Sequence, residues 1–156
     1  MSQAPVLKAA VYDGLCNVFP QDSQAVLVTY GMPWNEDAQD LVAVTGARTT
    51  PKNGGVGPMG PRRVHDEVIE VTVTFSSFRG GGNEVTQTAS EACWAMVTQL
   101  EEALRADPLL GLGPSAVFAM RFTEGEELPE EDTPDVITKG RVSTIEVTIT
   151  GTSRIF

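Results

Sequence analysis

The single histidine of the chain, His65, stands directly before two acidic residues, Asp66 and Glu67. A carboxylate that fixes the tautomer of an imidazole can make it a general base for a serine or cysteine nucleophile. No serine or cysteine in this sequence has a context typical of such a nucleophile. Adjacent residues on a strand also point to opposite faces, which separates His65 from Asp66. The pattern therefore favours an ordinary surface histidine.

Three consecutive glycines at positions 80–82 precede Asn83 and a predicted helix. Such loops can cradle phosphate, because their backbone N–H groups approach an anion closely. The lysine and serine or threonine of a P-loop are missing, and so is the glycine spacing of a dinucleotide site. We interpret the segment as a flexible connection.

Residues 124–135 contain seven carboxylates in twelve positions. Oxygen clusters attract hard cations such as Ca²⁺, but the ligand spacing and central glycine of an EF-hand do not occur here. We therefore predict no metal and no other cofactor, and we expect a solvated acidic loop.

Residues 47–64, which we call the basic arm, carry the opposite charge. The arm is rich in glycine and proline, contains no acidic residue and holds four of the eleven basic residues. A structureless loop of this length is uncommon inside a compact domain and is usually functional. Either Arg62 and Arg63 pair with carboxylates of their own chain, or the arm of one subunit lies on the acidic loop of a neighbour. The residues of this interface hypothesis are Arg48, Lys52, Arg62 and Arg63 with Glu126, Glu127, Glu130, Glu131 and Asp132.

Two helices are predicted from apolar residues at helical spacing. In the first, over residues 5–19, one face carries Leu7, Ala10, Val11, Gly14 and Val18, and a second apolar line carries Tyr12, Cys16 and Phe19. A helix that is apolar on two sides is either sandwiched in its own fold or shared with a neighbouring subunit. This alternative makes Tyr12 and Phe19 candidate interface residues.

The second helix is predicted to start at a capping box, Thr88 to Glu91, and to end at Asp107. Its core stripe would be Ala89, Cys93, Met96, Val97, Leu100 and Leu104. Trp94 lies off this stripe, and because aromatic residues often anchor interfaces, it is a further candidate.

Strands are predicted at residues 25–30, 41–45, 69–75, 116–122 and 141–150. The clearest two contain nearly identical alternating segments, residues 69–74 and 145–150, which we expect in one antiparallel sheet. One face of the sheet would be apolar and the other rich in threonine and glutamate, either exposed to solvent or lining a solvated channel. The prediction is a single α+β domain: a largely antiparallel sheet, two main helices on one face, and a long extended arm.

The chain has 156 residues and a net charge of −10. This length fits one domain, and a surface of this charge repels nucleic acid on average. No apolar run reaches the roughly 18 residues that span a bilayer, and the first residues lack the pattern of a secretory signal, so we expect no membrane association. Two cysteines are too few for a disulfide framework and wrongly spaced for a zinc site. We expect a reduced, intracellular assembly environment.

The chain resembles the tail terminator (tail completion) proteins of siphovirus-type bacteriophages, or closely related neck subunits, in the order, size and residue pattern of these elements. The resemblance lies in the opening helix with residues 7–11, the Gly/Pro arm, the strand over 68–75, the helix over 88–106 and the strand over 142–150. It implies a virion protein assembled in the host cytoplasm and no catalytic residues. Six copies would form a ring that caps the head-proximal end of the tail tube. Its partners would be the major tail tube protein and the head-tail connector or stopper protein, with DNA passing through the lumen without specific binding.

Two other classes remain open. The chain could be a different virion connector, such as a head-tail stopper or a minor tail protein. It could also be a small-molecule-binding or enzymatic α+β domain that uses His65, Trp34 or the acidic loop. The sequence disfavours the last class, because it shows no convergent set of catalytic groups.

Charge reversal in the arm tests the interface hypothesis. Arg62→Glu combined with Arg63→Glu should disassemble the oligomer, because charges at the rim of an interface steer encounter and fix register. Light scattering measures the mass, and an oligomer of unchanged mass would contradict the hypothesis.

Overall fold

The computed structural model describes residues 3–20, 26–32, 39–51, 65–111, 120–128 and 140–155. These residues form two helices, five strands and one 3₁₀ turn. In chain order they are α1 (Ala4–Val18), β1 (Leu27–Tyr30), β2 (Asp40–Pro51), β3 (His65–Gly80), the 3₁₀ turn (Asn83–Val85), α2 (Thr86–Ala106), β4 (Arg121–Leu128) and β5 (Gly140–Ile155).

The five strands form one sheet in the order β1-β2-β3-β5-β4. β1 runs parallel to β2, and all other neighbours are antiparallel. Both helices pack on one face, so the predicted α+β class is confirmed. The two similar segments are direct neighbours, with Val71 opposite Ile149 and Val73 opposite Val147. The sheet is therefore mixed only at its β1 edge.

The core lies between the helices and one face of the sheet. Ile69, Val71, Val73 and Phe75 of β3 and Ile145, Val147 and Ile149 of β5 are fully buried there. α1 contacts β1, β2 and β3, while α2 contacts β3, β5 and β4. Burial of each such side chain contributes about 1.5–3 kcal/mol, so this face accounts for much of the folding free energy.

The two apolar lines of α1 are parts of one broad face. Leu15, which belongs to neither predicted line, is fully buried between them. Phe19 is 4% exposed and packs edge-on against Phe75, with 6.4 Å between ring centroids. Tyr12 is half-buried and packs edge-on against Tyr30. The second line therefore packs within its own fold.

The core stripe of α2 is confirmed at all six predicted positions. The predicted capping box is wrong: the 3₁₀ turn leads directly into the helix, which begins at Thr86, so Thr88 is already helical. Glu91 accepts a hydrogen bond from Gln87 Nε2 at 2.7 Å instead of capping the helix. The helix ends at Ala106, as the following Asp107-Pro108 predicts.

Two predicted loops are partly strand. Residues 47–51 of the basic arm belong to β2, and residues 124–128 of the acidic loop belong to β4. Pairing with β3 and β5 imposes extended structure on residues whose own propensity for it is weak. The strand predicted at residues 116–122 begins at Arg121, and its residues 116–119 lie outside the described part, as do residues 52–64 and 129–135.

The turn after α2 is held tightly against α1. Leu110 has a left-handed backbone (φ 48°), which is uncommon for a residue with a branched side chain. Asn17 of α1 donates a hydrogen bond to the Leu110 carbonyl at 2.8 Å, and Asp107 accepts from the N–H groups of Leu109 and Gly111. The close approach needs Gly14, where an added Cβ would lie 2.8 Å from Leu110 Cβ.

Gly14→Ala should therefore destabilise the fold, although alanine usually favours a helix by about 1 kcal/mol. We expect a loss of about 1–3 kcal/mol in the free energy of unfolding, from overpacking against Leu110. Gly46→Ala in strand β2 is the control for an added methyl group without a close contact, because no described atom beyond its chain neighbours lies within 4 Å of its added Cβ. Urea unfolding measures both, and a Gly14→Ala variant as stable as the wild type would refute the packing argument.

Candidate functional site

The sheet face opposite the helices, which we call the open face, carries mainly hydroxyls and carboxylates. Strand alternation puts the apolar residues of β3 and β5 under the helices and the residues between them on the open face. Those residues include Glu70, Thr72, Thr74, Thr144, Glu146 and Thr148, joined by Arg48 of β2 and by Arg121, Glu124 and Glu126 of β4. No described helix contacts this face.

Two β-bulges bend the open face in the middle. One lies at Thr45 of β2 and the other at Thr123 of β4, on either side of the cross-strand row that contains Thr72 and Thr148. The Thr45 hydroxyl lies 3.0 Å from the Thr74 hydroxyl, and the Thr123 hydroxyl bonds that of Thr150. Bulges bend a strand and increase its twist. A groove of about 460 Å³ runs along this row, with Glu124 among its lining residues.

Arg48 pairs with Glu70 on the neighbouring strand of its own chain, at 2.7 Å. The two residues are direct cross-strand partners at the edge of the groove. Because 76% of the Arg48 side chain is exposed, the pair stabilises the fold by at most about 1 kcal/mol. This part of the predicted basic arm is therefore attached to its own sheet.

The β4 edge presents carboxylates on both faces of the sheet. On the open face Glu126 is directly opposite Glu146 of β5, a like-charged pair. On the helix side the Glu127 carboxylate accepts hydrogen bonds from Trp94 Nε1 and Ser90 Oγ, both at 2.8 Å, and from Ser143 Oγ at 3.1 Å. These bonds, those of Trp94 and Ser90 first, lower the pKa of Glu127. Glu127 thus links edge strand β4 to α2 and remains charged at neutral pH.

The β1 edge, at the other end of the sheet, presents aromatic and apolar side chains with one cation. Tyr30 is 53% exposed and Met32 is 60% exposed. The Lys8 ammonium lies 4.5 Å from the centre of the Tyr30 ring, and Tyr12 supports that ring from α1. A cation over an aromatic face is stabilised by the quadrupole of the ring. The two edges of the sheet therefore differ in both charge and apolar character.

The structure brings together only part of the predicted interface. Trp94 and Glu127 are hydrogen-bonded to each other, Arg48 and Glu126 lie on the open face, and Phe19 is enclosed in the core. Lys52, Arg62, Arg63, Glu130, Glu131, Asp132 and Trp34 lie outside the described residues. His65 is the first residue of β3, opposite Ile155.

Lys8 and Tyr30 of the β1 edge were not identified by the sequence analysis. Their separation of 22 positions carries no motif, since only the parallel β1–β2 pairing and the packing of α1 bring them together. Ser90 and Ser143 were missed for the same reason. A signal for Glu127 was present: once β4 is assigned as a strand, alternation puts Glu126 and Glu127 on opposite faces.

Other side chains that could take part in a reaction have structural roles in the described part of the chain. Burial raises the pKa of the Cys93 thiol to about 12, and the thiol donates to the Phe75 carbonyl, so Cys93 is not an activated nucleophile.

A second groove, of about 730 Å³, lies at the end of α2. It is lined by Leu104, Met120 and Phe122 and by the charged residues Glu101, Arg105 and Arg121. Arg105 is bonded to Glu101 in the same helix. No three His, Cys, Asp or Glu residues among those described could jointly hold a metal ion.

No protein-family model matches this chain, and no curated protein matches its sequence. Neither described helix is long and apolar enough to cross a membrane.

Glu127→Gln should lower stability in a pH-dependent way. Because hydrogen bonds lower the folded-state pKa of Glu127 below its ordinary value of 4.5, its stabilising effect is complete above pH 4.5 and is lost as the pH falls through the folded-state value. The free energy difference between wild type and variant should be largest at pH 7 and shrink below pH 4.5. Urea unfolding across this range measures it.

Glu102→Gln is the matched control, since it removes the same charge on the exposed side of α2. Its effect on the free energy of unfolding at pH 7 should be smaller than that of Glu127→Gln. If Glu127→Gln and wild type differ by the same amount at pH 7 and pH 3, the hydrogen bonds to Glu127 do not stabilise the fold.

Proposed function

We propose that this protein is a structural subunit of a bacteriophage tail, which forms a ring that caps the head-proximal end of the tail tube. The ring stops polymerisation of the tube and joins it to the head connector. The observation that carries the proposal is the open face of the sheet. From Glu70 to Ser76 of β3 and from Thr144 to Thr148 of β5 it is a polar wall rich in threonine and glutamate, bordered by the apolar pair Phe78 and Val142, on the side that neither described helix contacts. The resemblance in element order to tail terminator proteins supports the same function.

A polar wall of this kind suits a channel through which DNA moves. Among the described side chains of the open face, the four carboxylates Glu70, Glu124, Glu126 and Glu146 outnumber the two cations, Arg48 and Arg121. A negative lumen repels the phosphate backbone, so duplex DNA would pass without adhering, while threonine hydroxyls keep the wall hydrated. The net charge of −10 acts in the same direction.

The differing edges of the sheet support a ring over a two-fold dimer. A two-fold contact uses the same patch on both copies, whereas a head-to-tail contact joins two different patches and closes into a ring when the rotation permits. The apolar β1 edge and the acidic β4 edge lie at opposite ends of the sheet. Each subunit would therefore use one edge toward each neighbour.

The test is assembly on tail tubes. Six copies of the 16.7-kDa chain would have a mass of about 100 kDa by light scattering, either free or on tube ends. Added to the polymerising major tail protein of the same virus, the protein should halt growth and appear by electron microscopy at one end of each tube. Glu102→Lys, on the exposed side of α2, is a control variant that should cap normally.

Tubes that grow to the same length with bare ends would refute capping. Binding to the isolated head connector without binding to tubes would instead assign the protein to the head-tail stoppers. A monomer that binds neither would refute both virion functions.

A further inference from the structure

The exposed aromatic residues at the two ends of the sheet are each accompanied by a charge, and the charges are opposite. Tyr30 at the β1 edge has the Lys8 ammonium over its ring, and Trp94 at the β4 edge donates its indole N–H to the Glu127 carboxylate. Both side chains are substantially exposed, 53% for Tyr30 and 38% for Trp94. We call these two pairs the cationic pair and the anionic pair.

Both pairs lie on the helix side of the sheet. Tyr30 contacts Tyr12 of α1, and Glu127 bonds to Ser90 and Trp94 of α2. They also lie at nearly the same level along the strands. The cross-strand row through Tyr30 continues through Val44, Val73 and Val147 to Gly125, two residues from Glu127. Two residues of a strand span about 7 Å, so the levels differ by little more than one side chain.

We propose that the cationic pair of one copy docks on the anionic pair of the next copy. In this contact Lys8 faces Glu127, and Tyr30 packs beside Trp94. The occupant of each patch is a second copy of this chain, because each patch carries the charge that the other lacks and both sit on the same side of the sheet. Aromatic residues ringed by polar groups are the usual anchors of such contacts.

Because the cationic pair and the anionic pair lie at nearly the same level along the strands, the contact is compatible with a closed ring. When two different patches lie at opposite ends of a subunit and at one height, a rotation about an axis along the strands joins them with little translation. Repetition of that rotation closes a ring, whereas a large translation would give a helical filament. This contact rests on the proposed ring function. It adds to that function the residues that join neighbouring subunits.

A charge-swap experiment tests the contact. Lys8→Glu should clash with Glu127 of the neighbour, and Glu127→Lys should clash with Lys8, so each variant alone should associate at least about tenfold more weakly than wild type. An equimolar mixture should recover wild-type mass by light scattering, since alternating copies restore opposite charges at every contact. Glu102→Lys, which makes the same charge change on the exposed side of α2, should associate normally.

Zero-length carbodiimide cross-linking of the wild-type protein gives a readout that does not depend on how the variants fold. The chain has three lysines, Lys8, Lys52 and Lys139. Within one copy the Lys8 ammonium lies over Tyr30 of edge strand β1, whereas Glu127 belongs to the opposite edge strand β4, and four strand spacings separate the two strands by about 19 Å. An amide between Lys8 and Glu127 therefore forms between copies. Mass spectrometry should find the Lys8–Glu127 amide, and Lys8→Arg, which keeps the charge, should abolish it.

Wild-type rings that yield no Lys8–Glu127 amide, together with a charge-swap mixture that recovers no mass, would overturn this contact and leave the ring function standing. A wild-type protein that stays monomeric at every concentration and on tail tubes would overturn the contact and the proposed function together.

Discussion

The antiparallel pairing of β3 with β5 is the interaction on which the rest of the structure depends. Each strand is 16 residues long, and the pairing runs without a register shift from His65–Ile155 to Gly80–Gly140. A slip of one residue would turn the buried valines and isoleucines to solvent and the threonines inward, so burial fixes the register strongly. β2 and β4 add to the outer sides of this pair, and both helices cover its apolar face.

In this arrangement the residues that stabilise the fold are separate from the surfaces that could contact other subunits. The helix side of the central strands holds the core, while in the described part of the chain no helix covers the open face and no further strand pairs with either sheet edge. The bulges at Thr45 and Thr123 interrupt only the strands that flank the central pair, so the sheet bends without losing the long ladder. Carboxylates at the β4 edge also discourage indiscriminate strand pairing, because charged edge strands resist aggregation. The proposed ring would use both properties, rigid packing and selective edges.

Local pattern predicted the elements with strong periodicity. The alternation in β3 and β5 and the apolar stripe of α2 hold at every predicted position, because each pattern is set by burial on a single face. The capping-box pattern from Thr88 to Glu91 predicts a helix start at Thr88, but α2 begins at Thr86 because the 3₁₀ turn before it leads directly into the helix. Composition predicts loop at residues 47–51 and 124–128, whereas their strand structure comes from the neighbouring strands with which they pair.

The sequence by itself determined the α+β class, the one-sided cover of the sheet and the Thr/Glu character of its open face, because these follow from which residues avoid water. Only the tertiary structure decided that Lys8 meets Tyr30, that Trp94 meets Glu127 and that Arg48 is tied to Glu70. These pairs join residues 22 to 33 positions apart. Their geometry depends on strand order and register, which no local spacing encodes.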